Sequence, residues 1–172
     1  MKSDKFFDHI TIYHDILSEK ERIYFLRECK PLLQKMIPYG DGEKTDSNLH
    51  LVSKKTFNIH QILKKIHKKS KITQNIKRSW VNYTDADYAY ESWHHHNFPG
   101  VYELSCIFMI ENPENLGTWF KYDDVVYKLD CPTNSMCLFP KSLLHTVPPN
   151  VKKPRYSLAI DFEDKKINFQ YE

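Results

Sequence analysis

Trp93-His94-His95-His96-Asn97 is the stretch whose reading decides the fold. In a strand successive side chains face opposite ways, so His94 and His96 share one face while His95 points to the other. Two imidazoles so placed offer adjacent positions to one metal ion, because neutral imidazole is a common ligand of iron, zinc and copper. A third donor has to arrive from a distant segment. His145, in Phe139-Pro-Lys-Ser-Leu-Leu-His145-Thr-Val-Pro-Pro149, stands about fifty residues downstream, the separation expected of a strand that returns beside the first.

Outward from these histidines the chain divides in two. From Ile76 onward it reads as short strands, over Trp80–Tyr83, Ala89–His96, Val101–Ile110, Val125–Leu129, Ser135–Phe139 and Arg155–Phe162, all rich in β-branched and aromatic residues. Asn112-Pro113, Asn115-Leu-Gly117 and the later prolines punctuate them, a rhythm that suggests a sandwich or barrel. The region before residue 75 reads as helical support. Ser18-Glu-Lys-Glu21 has capping-box spacing and predicts a helix to about Met36, which Pro31 should kink or shorten. Residues 40–48 read as a loop, and Ile59, Ile62, Leu63 and Ile66 predict an amphipathic helix over 58–69. There is no internal repeat.

The 172 residues suit one domain over 1–172, with helical support over 1–75 and a β core over 76–165. Apolar residues at 41% and aromatics at 14% exclude a disordered chain. The formal charge of +3 is small, and the basic run Lys64–Lys71 has no interleaved aromatic platform, so it reads as a solvated helix face rather than a nucleic-acid interface. Cys29, Cys106, Cys131 and Cys137 form no CxxC pair, and three of them adjoin apolar runs, which points to a reducing, intracellular setting. The N-terminal residues lack the apolar core of a signal peptide and no segment is apolar enough to cross a bilayer, so the expectation is a soluble, cytoplasmic protein. Usage rich in Lys, Ile, Asn and Tyr suggests an AT-rich bacterial or phage genome.

About ten residues beyond His145 comes Arg155-Tyr-Ser157. Arginine and serine two apart on a strand share a face, where the guanidinium can grip a carboxylate with two parallel hydrogen bonds and the hydroxyl adds another. HxH, a long spacer, His, then RxS is an ordered set, and it is accompanied by Trp80-Val-Asn82, Asp87-Tyr88, Ser105-Cys-Ile-Phe108 and Pro113-Glu-Asn-Leu-Gly117. Across Trp80 to Phe162 this pattern resembles the 2-oxoglutarate- and iron(II)-dependent oxygenases, and among them a group of small oxygenases of bacteria and tailed phages.

The resemblance implies a mostly β fold with N-terminal helices (α+β), a double-stranded β-helix of jelly-roll or cupin-like kind. It implies iron(II) held by His94, His96 and His145, and 2-oxoglutarate bound by Arg155 and Ser157, with Asn82 and Tyr102 touching cosubstrate or substrate. His96 stands where most of the superfamily has Asp or Glu. The implied reaction takes dioxygen, hydroxylates a small molecule or side chain, and releases succinate and CO2. Trp80, Trp93, Tyr88, Tyr90 and Trp119 are candidates for the substrate mouth.

Several alternatives stay open on the residues alone. A shifted register makes His95 the ligand, with Asn97 in the acid position, and Asp85, Asp87 or Glu103 can bend in from neighbouring segments. Three imidazoles also suit zinc, or a three-histidine cupin-type enzyme that uses no 2-oxoglutarate. A non-catalytic β-sandwich binding module, its histidines incidental, is the remaining reading.

Overall fold

The structure, a computed structural model, describes residues 3–6, 10–35, 43–46, 49–52, 57–86, 93–96, 104–148 and 151–163. In chain order its elements are β1 (Ser3–Phe6), β2 (Ile10–Tyr13), α1 (Glu19–Cys29), β3 (Gln34–Lys35), β4 (Glu43–Lys44), α2 (Leu49–Val52), α3 (Phe57–Ser70), β5 (Ile76–Thr84), β6 (Leu104–Glu111), β7 (Leu116–Tyr122), β8 (Val125–Asp130), β9 (Met136–Pro140), β10 (Leu144–Thr146) and β11 (Arg155–Phe162). The strands form two antiparallel sheets. The larger runs β1-β2-β9-β6-β11-β5-β4-β3 and the smaller β10-β7-β8.

β11, central in the larger sheet, explains the layering. Leu158, Ile160 and Phe162 point one way and join Val81, Cys106 and Phe108 against Phe25, Ile59, Leu63 and Ile66 of α1 and α3. Helices therefore cover one face, each buried aliphatic or aromatic side chain contributing roughly 1.5–3 kcal/mol. On the other face Ile10, Ile12, Met109, Cys137 and Phe139 meet Phe120 and Leu129 of the smaller sheet. Between β7 and β8 the backbones approach so closely that a Cβ at Gly117 would strike the Leu129 carbonyl and the Cys131 side chain, which is why glycine stands there.

The capping box forms, with the Ser18 amide donating to Glu21 Oε2 at 2.9 Å and the Glu21 amide to Ser18 Oγ at 3.4 Å. α1 nevertheless ends at Cys29, and Pro31 lies in a 3-10 turn over Lys30–Leu32. Proline cannot supply the amide that another α-turn requires. The purely helical character expected before residue 75 needs correction: β1, β2, β3 and β4 lie there, and β4 sits inside the stretch read as a loop, pairing Lys44 with Asn82. These strands are two to four residues long, too short for alternation to stand out. β7 and β10 likewise had no counterpart among the expected strands. Of the strand expected over 89–96, residues 89–92 lie outside the described residues, and His94 makes an isolated antiparallel bridge to His145.

Candidate metal centre and cavity

Main-chain pairing brings the histidines together. The His94 amide donates to the His145 carbonyl at 3.0 Å, the His145 amide returns a bond to His94 at 2.9 Å, and the His96 amide donates to Lys141 at 3.0 Å. Two segments fifty residues apart are thereby stitched side by side, His145 on β10 in the smaller sheet. One nitrogen from each of His94, His96 and His145 lies within 4.8 Å of the other two. His95, between them, is exposed.

Hydrogen bonds decide which ring nitrogen remains a donor to metal. His145 Nδ1 lies 2.8 Å from the Leu143 carbonyl, an acceptor only, so Nδ1 carries the proton and Nε2 keeps its lone pair. His96 Nδ1 lies 3.0 Å from Asp161 Oδ1, with the same consequence. Burial, helped by the neighbouring His94 imidazole, pushes the His145 pKa down from 6.5 to about 3. The ring therefore stays neutral at neutral pH, the form that binds metal.

Asp161 is the one acidic residue hydrogen-bonded to this group among the described residues, and it touches a histidine rather than joining the set. Its carboxylate accepts from Ser105 Oγ at 2.6 Å, and from Arg78 Nη2 at 2.5 Å and Nε at 3.0 Å. Burial alone would raise its pKa. The hydrogen bond from His96, the Ser105 hydroxyl and the Arg78 guanidinium outweigh burial and hold it well below the usual carboxylate range.

The three imidazoles sit at a cavity of about 230 Å³, whose lining also includes Lys44, Arg78, Trp80, Asn82, Thr84, Arg155 and Ser157. Register explains this grouping: Arg155 opposes Thr84, Ser157 opposes Asn82, and Asp161 opposes Arg78 across β11 and β5. Arg155 and Ser157 are 2% and 3% exposed, so both polar groups are turned inward. Thr84 Oγ1, also buried, has no hydrogen-bond partner among the described residues. Buried polar atoms are nearly always bonded, and one left over in a cavity wall marks room for a polar ligand.

The structure thus gathers His94, His96, His145, Arg155, Ser157 and Asn82 around one cavity. Tyr102 lies outside the described residues, as do Asp87, Tyr88, Tyr90, Asn97 and Glu103. Asp85 instead accepts from the Tyr83 hydroxyl at 2.9 Å. Among the mouth candidates Trp80 lines the cavity, whereas Trp119 has the Lys128 ammonium 4.4 Å from its ring centre and Trp93 is half-buried elsewhere. Sequence reading passed over Asp161, Arg78, Thr84 and Lys44, and quoted Ser105 in a motif without giving it a role at the site. For Asp161 a signal existed: Arg155, Ser157, Ala159 and Asp161 alternate along one strand, so the aspartate shares the arginine's face.

No family model matches the sequence, and neither does any curated protein. Solved structures do. A prolyl hydroxylase from Trichoplax adhaerens, in complex with a peptide fragment of the hypoxia inducible factor oxygen degradation domain, aligns with a TM-score of 0.67, covering 93% of this chain and 86% of its own at 12% identity. An oxidoreductase of the 2OG-Fe(II) oxygenase family from Burkholderia pseudomallei gives 0.61, covering 90% and 84% at 10% identity. The chain has the fold of the 2-oxoglutarate and iron(II) oxygenases. HygX from Streptomyces hygroscopicus, with nickel and 2-oxoglutarate bound, shares this oxygenase fold at a TM-score of 0.66 and 8% identity over 92% of this chain and 84% of its own. The donor set fits a metal of this kind, because imidazole binds iron, nickel, copper and zinc alike. Among the described residues no helix is long and apolar enough to cross a membrane.

Proposed function

We propose that this chain is a 2-oxoglutarate- and iron(II)-dependent oxygenase, a single double-stranded β-helix domain that hydroxylates an as yet unidentified substrate in the cytoplasm. The observation that carries the reading is the pairing of three convergent imidazoles with a buried Arg155-x-Ser157 wall in one cavity. His94, His96 and His145 would hold the metal. Arg155, Ser157 and Asn82 would seat the cosubstrate, the guanidinium taking its far carboxylate. When bound, the iron and 2-oxoglutarate supply oxidising power from dioxygen, with succinate and CO2 as co-products.

The chain's own residues position and exclude. The Leu143 carbonyl holds the His145 ring in one tautomer, and Asp161 does the same for His96. Such outer partners raise the basicity of the ligating nitrogen, and their loss typically costs about 10–100-fold in metal affinity. Asp161→Asn is accordingly expected to weaken zinc or cobalt binding by about that factor in competition with a chelator. Unchanged affinity would remove Asp161 from the site.

Among the described residues the donor set holds no carboxylate, which favours a second reading, a three-histidine metal enzyme without cosubstrate. Arg155 and Ser157 weigh against it, because nothing in that chemistry needs a buried diacid grip. Anaerobic titration with iron(II) and then 2-oxoglutarate separates the two. The oxygenase reading expects a charge-transfer band that saturates at equimolar cosubstrate; a protein that binds iron but never develops the band is the other enzyme.

A further inference from the structure

Accepting that reading, the charge of the cavity singles out a class of primary substrate. Among the described residues three cationic side chains line it, Arg155, Arg78 and Lys44, and no Asp or Glu does. With a histidine in place of the acid, the metal keeps both of its charges. These match the two of 2-oxoglutarate, whose far carboxylate Arg155 would take, Asp161 offsets Arg78, and Lys44 adds a further positive charge to the lining. The described lining of the loaded cavity is positive, and in a partly desolvated cleft such a field selects for negative groups.

Arg78 is the group built to meet one. Its Nε and Nη2 are both committed to the buried Asp161, which fixes the plane of the guanidinium. Nη1 takes no part in that pair, and the side chain is 46% exposed where it lines the cavity. Its carbon lies 5.9 Å from the Trp80 ring centre, and the Trp80 ring in turn lies 5.8 Å from that of His96. An arginine held on one edge and open on the other is preorganised for a planar or tetrahedral oxyanion, since little rotamer freedom is left to lose.

We propose that the primary substrate carries an oxyanion, a carboxylate or phosphate, which Arg78 receives beside Trp80 and so sets the reacting carbon near the metal-facing histidines. The test uses protein loaded with redox-inert zinc and saturating 2-oxoglutarate, into which inorganic phosphate and, separately, acetate are titrated at constant ionic strength while heat is recorded. Cosubstrate uptake is measured first, and its absence defeats the oxygenase reading without touching Arg78. With cosubstrate bound, at least one probe should bind saturably, the tighter of the two naming the oxyanion. Arg78→Gln should weaken that probe by about tenfold or more, as loss of a charged hydrogen bond implies, each variant being saturated with zinc and 2-oxoglutarate according to its own affinities. Arg78→Lys, which keeps the charge but not the fork, should fall between. Where Arg78→Gln fails to take up zinc and cosubstrate, Arg78→Lys alone decides, a drop of about threefold or more supporting the proposal. Absence of saturable binding in the parent, or binding that survives the substitution, overturns it.

Discussion

Alanine at position 145 is expected to abolish stable metal binding, with affinity falling well beyond the roughly 100-fold that loss of an outer partner costs. His145 is the most buried of the three imidazoles. It is 3% exposed, its Nδ1 is committed to the Leu143 carbonyl, and Phe139 packs edge-on against the ring at 4.9 Å between centroids. With pKa depressed to about 3, no proton competes for its free nitrogen at neutral pH. Removing the ring also leaves the Leu143 carbonyl unpaired beside a void, so the variant should lose about 1–3 kcal/mol of stability even without metal. The two effects separate in thermal unfolding. Added zinc should raise the Tm of the parent, because the ion binds only the folded state, and should leave the variant unmoved. His95→Ala, at an exposed neighbour, should keep the metal response. Acid gives an independent check. Folding depresses the His145 pKa from 6.5, so the unfolded chain binds the proton that the folded chain refuses. The metal-free parent should therefore lose stability as pH falls below about 6.5, and the alanine variant should lose less. A variant that retained stoichiometric zinc after dialysis would remove His145 from the centre.

The parts of this site that lay open in the sequence are those where local spacing and chemistry coincide. His94 and His96 are two apart, as are Arg155 and Ser157, and a period of two is enough to put each pair on one face. β11 occupies the span expected for it, Arg155–Phe162, and α3 exceeds the expected helix by a residue at each end. What could not be read is whatever depends on neighbours across a sheet. Nothing in Asp161 or Arg78 alone shows that β11 and β5 pair in the register that sets them face to face, and Lys44 reaches the cavity only because a two-residue strand adds to the edge of β5. The short strands at the N-terminus escaped for a related reason: their ladder partners, not their own propensities, make them strands. Identities of 8–12% with structures that align over nine-tenths of the chain express the same division. The backbone arrangement survives where side-chain identity does not.

For Arg155 the expected result is a collapse of 2-oxoglutarate affinity without loss of fold. A bidentate guanidinium–carboxylate grip comprises two charged hydrogen bonds of roughly 1.5–3 kcal/mol each, so Arg155→Met should weaken cosubstrate binding by about two orders of magnitude or more. Arg155→Lys keeps the charge on a shorter, unforked group and should recover only part of it. Stability is a separate readout. Arg155 is 2% exposed, with Nη2 3.5 Å from the Met109 sulfur, so the folded protein holds this cation inside. The metal-free Arg155→Met protein should keep the parent's secondary structure while failing to develop the charge-transfer band at cosubstrate concentrations that saturate the parent. If the variant instead melts early and binds 2-oxoglutarate normally once folded, Arg155 is a structural group, and the cosubstrate, if there is one, is held elsewhere.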